Sequence, residues 1–513
     1  MSEILLYYHK VNPTTWAYLS SLLMIGLYFK FNRFWSVRNL DLVLLILLAP
    51  GLLMVHQGEE LLDRAAARGG IARTAERKVE IPPAKTPSVS PDVSPSTKSQ
   101  PSLAAAPEAS VAETVASASI AIDEAAVGKR IAYTGYLWLF ALSGVFLVRM
   151  LLDPTMVRRP LLEPNLTNGG LLFIGVALFL FLMANVITSQ LTVDDLSGPQ
   201  GAEALLAQRD SLNDEESTKD YRRYGPGYDL LYLLPSIPTM TFVQAADERQ
   251  VIAYASAARA MAIFAHLAVV TALVIIGYWH FENIKMGIGA ATMYLMLPYT
   301  AQMTGRVEHV LPAALLMWSI VLYRRPALAG ILIGLAMGAV YYPLFLLPLW
   351  LSFYWQRGVV RFALGVLAAL GVVAISLAFV SEDVVSFWHK IQQMFGLFLP
   401  NMDREQLRGI WRLGWDPYYR IPAIAGCVAL AGGLAIWPAQ KNLGTLLSCS
   451  AALMVAIQFW HGYGGGLYMA WYLPLALLTI FRPNLEDRVA LTVLGEGWFT
   501  KRRTRLAQFD RAA

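Results

Sequence analysis

Apolar runs of membrane-spanning length recur along this chain, and no other feature constrains its folding as much. Crossing a hydrocarbon core of ~30 Å at 1.5 Å per residue takes about 20 mostly apolar helical residues. Backbone polar groups in lipid must be bonded internally, so a chain with many such runs folds as a helical bundle. Thirteen runs are readable, near 15–29, 40–56, 131–150, 168–188, 252–278, 287–303, 308–323, 327–342, 343–357, 361–380, 421–438, 443–460 and 468–482. Pro343 and Pro348 interrupt 327–357, which can be divided in more than one way. The first run lacks a basic leader and a small-residue cleavage site, so it reads as a span and not a signal peptide. The expected fold class is all-α: a polytopic helical membrane protein with about 13 transmembrane helices.

Composition removes the competing classes. The chain is 56% hydrophobic and 15% charged, whereas soluble domains run near half apolar and about a quarter charged. A net charge of +5, from 41 basic and 36 acidic residues, is too small over 513 residues to suggest nucleic acid. Cys427 and Cys449 both sit in apolar runs, as small hydrophobes do, and cannot build a disulfide framework.

Short loops rich in Lys and Arg stay cytoplasmic. Those holding Lys30/Arg33/Arg38, Arg149/Arg158/Arg159, Lys285, Arg324/Arg325, Arg357/Arg361 and Lys441, with the tail (Arg482, Arg488, Lys501-Arg502-Arg503), fall on one side if the runs alternate as spans. This predicts an N-terminus outside and a C-terminus in the cytoplasm, with a bacterial inner membrane as the expected location. The expected organisation is a transmembrane helix pair (1–56), a linker (57–129), a multi-span core (130–482) and a basic cytoplasmic tail (483–513). The linker has no aromatic residue and its second half is rich in Pro, Ser and Ala, so it is expected to be disordered. The outward segments of the core are 188–229, with nine carboxylates against four basic residues, and 381–420, where aromatics and charges mix as in interfacial helices. A short Gly-rich turn, 461–466, also faces outward.

No metal signature, P-loop, nucleophile elbow or dinucleotide-binding glycine pattern is present, so chemistry must be assembled from embedded helices and outward loops. Asp194-Asp195, just past an apolar run in LTVDDLSGP, offers two adjacent carboxylates as general base or metal ligands. Loop solvation or a helix cap accounts for the pair equally simply. In an extended backbone the two side chains would face opposite ways, and Asp194, nearer the membrane, is the favoured base. Arg222, Arg223 and Tyr224 precede a Tyr/Gly/Pro re-entry whose aromatics and guanidiniums suit sugar faces or phosphate oxygens, and suit an interfacial aromatic belt as well. Arg259 lies about two turns inside its span, where a charge marks a site or snorkels to the interface. Arg306, Glu308 and His309 crowd one outward turn, able to grip a phosphate or to form a surface ion pair. His461 reads as an interfacial anchor or a base; His266 and His280 read as packing residues.

The order of these features resembles the GT-C superfamily of polytopic glycosyltransferases, above all its bacterial mannosyltransferase-like and arabinofuranosyltransferase-like branches. The residues that carry the resemblance are the Gly305-Arg306-Val307-Glu308 turn, Arg324-Arg325-Pro326, the Gly330–Ala336 glycine helix and the Pro343–Pro348 helix. It covers roughly 168–482. By position it puts the catalytic acid on Asp194 or Asp195. It also implies a polyprenyl-phosphate-linked sugar donor, a glycan, lipid or protein acceptor, and no nucleotide cofactor. Many relatives have a lysine where this chain has Tyr341-Tyr342, so Arg259 or Arg306 would take over the lipid phosphate. The function expected is transfer of a sugar at the outer face of the membrane, in the cell envelope. The alternatives are a transporter or flippase of a lipid-linked substrate and a non-enzymatic membrane scaffold. No internal repeat of the transporter kind is found, and the strong charges cluster at the outer ends of the runs.

Overall fold

The structure, a computed structural model, describes residues 12–79, 108–156, 162–189, 191, 193–207, 224–241, 247–381, 383–397, 400, 402–404, 406–463, 468–485 and 488–494. Among these residues there are helices and no strand, and each of the thirteen apolar runs falls on helix. Six helices are long and apolar enough to cross a membrane: Val37–Arg68, Ile122–Thr155, Asn168–Thr188, Ile252–Trp279, Val359–Phe379 and Pro417–Ile436. Five shorter apolar helices, Val307–Val321, Pro326–Ala339, Tyr342–Tyr354, Leu443–Gln458 and Met469–Phe481, join them in an all-α polytopic membrane protein. The shortness has a local cause. Pro298, Pro326, Pro343 and Pro474 stand at helix starts, where a missing N–H costs nothing, and they divide the apolar sequence into pieces.

The chain divides into two compact units, residues 50–137 and residues 1–49 with 138–513. In the smaller, the parts of the Leu48–Val79 and Glu108–Leu152 helices within 50–137 run antiparallel. Gly58 backs so closely on Ala132 that a side chain would collide with its backbone. Tyr136 donates to Glu59 at 2.9 Å, and Arg68 pairs with Glu124 at 2.7 Å. Helix therefore occupies both ends of the stretch expected to be a disordered linker. The segments RAAARGGIARTAERK and EASVAETVASASIAIDEA hold enough Ala, Glu and Arg to favour helix locally, which an average over 57–129 conceals. The Pro/Ser-rich centre, 80–107, lies outside the described residues.

In the larger unit the Pro326–Ala339 and Val359–Val380 helices touch backbone to backbone. A methyl group on Gly330 would strike the Phe362 carbonyl, and one on Gly365 the Ala327 carbonyl, so glycine here permits the approach that membrane helices exploit. The Pro13–Tyr28 helix belongs to this unit: Tyr28 donates to the Gly289 carbonyl at 2.8 Å, and Trp16 stacks on Phe181 at 5.3 Å. A buried ionic chain adds a second tie. Arg149 forks onto Asp41 at 2.7 and 2.8 Å and reaches Asp153 at 3.1 Å, while Arg482 meets Asp153 at 2.6 Å. This chain fastens the Val37–Ile46 helix, the end of Glu108–Leu152 and the end of Leu473–Phe481 together.

Candidate active site

The site starts from a sharp reversal. The Pro298–Gln302 helix ends, Thr304 to Arg306 turn, and the Val307–Val321 helix begins with Glu308 in its first turn, where a carboxylate suits the helix dipole. A second helix, Val193–Leu206, delivers Asp195. Arg306 Nη1 lies 3.5 Å from Asp195 Oδ1 and 3.6 Å from Glu308 Oε1, and His309 Nε2 lies 3.9 Å from the same Glu308 oxygen. One guanidinium therefore stands between two carboxylates with an imidazole behind. The Glu308 side chain is 2% exposed and that of Arg306 is 30%, although the Arg306 Nη1 that faces the carboxylates is buried.

Aromatic residues hold it. The Tyr299 hydroxyl is 2.5 Å from His309 Nδ1, and Tyr468 stacks on the imidazole at 4.2 Å. Trp471 donates to the Glu308 carbonyl at 3.3 Å. His461 packs against Tyr468 at 4.3 Å and against Tyr342 at 4.8 Å, so the two histidines share one aromatic floor. On the other flank Tyr224, Tyr228 and Tyr232 form a ladder with ring centroids 4.6 and 5.1 Å apart. Its base is fixed where the Gly225 N–H donates to the Ala339 carbonyl at 2.9 Å. Tyr228 and Tyr232 feel the charge of Glu308, and Tyr232 also that of Asp195, so the ladder borders the acid cluster. Asp229 lies on the same helix, against the backbone of Gly201, and burial pushes its carboxyl up to about 8.

Of the residues expected from sequence, Asp195, Arg306, Glu308, His309, Tyr224 and His461 are gathered here. Arg259 stands beside them. It donates to the Ser189 carbonyl at 3.0 Å and so closes the end of the Asn168–Thr188 helix, with the Ser189 hydroxyl next to Gly305. Arg222, Arg223 and the Asp194 side chain lie outside the described residues. The expectation that Asp194 and Asp195 sit in extended backbone is corrected: both are in the first turn of the Val193–Leu206 helix. Acids are favoured at such a terminus, and neighbours there project about 100° apart, not oppositely. Tyr299, Tyr468, Trp471 and Asp229 were not anticipated. The aromatic string Tyr468-Met469-Ala470-Trp471-Tyr472, directly after the Gly-rich turn, is the signal that points to two of them. Among the described residues no three His, Cys, Asp or Glu side chains gather as metal ligands do.

A helical membrane bundle with an arginine, two carboxylates and a histidine on an aromatic floor has the makings of a transferase of polar groups at a membrane surface. Residues 224–459 match the family model described as glycosyltransferase family 87, a GT-C type family. The matched stretch runs from the tyrosine ladder through the Arg306 turn to the edge of the His461 turn. The match covers a little under half of the chain and supports a GT-C superfamily membrane glycosyltransferase. No curated protein and no solved structure matches the chain.

Proposed function

We propose that the enzyme transfers a sugar from a polyprenyl-phosphate-linked donor to a hydroxyl acceptor at the outer face of the membrane. The observation that carries this is Arg306 between Asp195 and Glu308, with Nη1 at 3.5 and 3.6 Å. These contacts are longer than direct charge-assisted hydrogen bonds, so the pairing with these two carboxylates is loose, and Arg306, with its side chain 30% exposed, can turn a donor toward a phosphate oxygen. In this reading the sugar lies on the Tyr224–Tyr232 ladder, and Arg306, with His309 and Arg259 nearby, holds the lipid phosphate. Asp195 takes the proton from the acceptor hydroxyl as its oxygen bonds to the anomeric carbon. The bond from that carbon to the phosphate oxygen breaks, and the polyprenyl phosphate leaves with the electron pair, steadied by Arg306. Glu308 keeps the guanidinium in place.

The outer-face assignment rests on the basic loops, which put 483–513 in the cytoplasm. Lipid and glycan mass spectrometry on a deletion strain tests the donor. The expected result is a lipid-linked sugar that accumulates while one glycan product disappears. An unchanged lipid-linked pool beside a missing product would overturn the donor assignment. An impermeant maleimide should leave a cysteine placed at Thr504 unlabelled in intact cells; labelling would invert the topology.

A further inference from the structure

One helix length from the Arg306 turn lies a second charged feature. Arg324, Arg325, Arg357 and Arg361 line a single cleft of about 630 Å³ with Pro326, Trp355, Val360 and Leu494. None of the described residues lining it is acidic. Arg325 and Arg361, both exposed, bring two positive charges to this one cleft, and an anion between them is favoured there. Arginine in particular offers a planar fork that matches phosphate oxygens in pairs.

The fold also fixes the position of the cleft. The Val307–Val321 helix starts at Arg306 and ends just before Arg324, and its 15 residues at 1.5 Å each span about 22 Å. The Pro326–Ala339 helix runs back, from the cleft to the Ala339 carbonyl that holds Gly225 under the tyrosine ladder. The cleft therefore lies about 22 Å along that helix from the active-site turn. Trp355, 73% exposed, and Val360, 67% exposed, flank the arginines. An exposed tryptophan beside cations belongs at headgroup level, where its ring meets the acyl boundary.

We propose that this cleft binds a phosphate group, as carried by the headgroup of an anionic phospholipid in the leaflet opposite the transfer site. The arginines take the phosphate oxygens while Trp355 and Val360 meet the upper acyl chain. Basic clefts between helices at this depth take such headgroups in general. The site is separate from the donor site and needs none of its residues.

The test uses the full chain and the R325Q/R361Q double variant. Both arginines are exposed, so the variant is expected to melt with the wild type in neutral detergent. Nanodiscs are made from phosphatidylcholine alone and with phosphatidylglycerol as the minor lipid, and lipids retained on release are counted by native mass spectrometry. The wild type should retain phosphatidylglycerol over phosphatidylcholine by about tenfold or more, and the double variant should lose that preference. R325K/R361K keeps the charge without the fork and should fall between them. If inorganic phosphate raises the melting temperature of the wild type but not of the double variant, with no lipid preference, the site takes free phosphate by the same chemistry. Equal behaviour of wild type and R325Q/R361Q in both arms would overturn the proposal.

Discussion

Among the described residues, arginine meets two carboxylates at two places, and the two places differ in distance. In the Asp41–Arg149–Asp153–Arg482 chain the contacts are 2.6–3.1 Å, and the carboxylate side chains are 7% and 0% exposed. At the Arg306 turn the arginine's contacts are 3.5 and 3.6 Å; the carboxylates are buried alike, at 9% and 2%, but the arginine side chain is 30% exposed against 15% for Arg149. The first arrangement closes on itself: each guanidinium donates along direct hydrogen bonds to carboxylates, and nothing further can enter. The second keeps opposite charges near one another without a direct hydrogen bond between these groups, on an arginine that is more exposed. The same residue types thus serve as a fastening in one place and as chemistry in the other. Spacing and exposure decide which.

Each region should answer to a different measurement. Asp153→Asn removes the carboxylate shared by Arg149 and Arg482 and leaves two buried cations short of a charge. Breaking a buried pair in this way costs about 3–5 kcal/mol. Denaturation in detergent should show that loss, while molecules that remain folded bind donor as the wild type does. A stability change below about 1 kcal/mol, the scale of exposed pairs, would remove the distinction between the two regions.

Arg306→Gln should do the reverse. The melting temperature should fall less than in Asp153→Asn, since looser contacts are lost, while donor affinity falls about tenfold or more, the worth of one charge-assisted hydrogen bond. Donor titration and melting in one preparation separate the outcomes. A large fall in stability with unchanged donor affinity would make Arg306 a fastening too.

A third measurement concerns Asp229, on the helix that carries the tyrosine ladder. Its carboxyl titrates near 8 in the folded protein, raised by burial from an ordinary value near 4. Between those values the folded state holds a proton that the unfolded state has released, so stability falls as pH rises through the window and levels off above it. Melting temperatures should therefore decline from pH 5 to pH 8 in the wild type, and the decline should flatten in Asp229→Asn. An equal slope in both proteins would show that Asp229 is not the group responsible.

Much of the architecture is legible in sequence because membrane spans are local. Every apolar run is helical, since each satisfies its own backbone whatever its neighbours do. The helical ends of 57–129 were obscured for the opposite reason: absence of aromatics describes the whole stretch, whereas Ala and Glu act residue by residue. At the site, the Gly305–Glu308 turn is readable because its members adjoin in the chain. The approach of Asp195 to Arg306 is not, because helix packing over more than a hundred intervening residues sets it. Tyr299 and Tyr468 escape notice likewise, as aromatic residues in a sequence full of them, until packing sets both against His309.

The central claim is that the Val193–Leu206 helix supplies a carboxylate to the Arg306 turn as the base for sugar transfer. Its most direct test is transfer activity in Asp194→Asn, Asp195→Asn and the double variant, each at matched amounts of folded protein. Loss of a general base costs about 10²–10⁴-fold in rate. Asp195→Asn should fall by that factor with its melting temperature unchanged, and Asp194→Asn should keep most of its activity. Near-wild-type transfer in the double variant would contradict the account and turn the search for the base to Glu308.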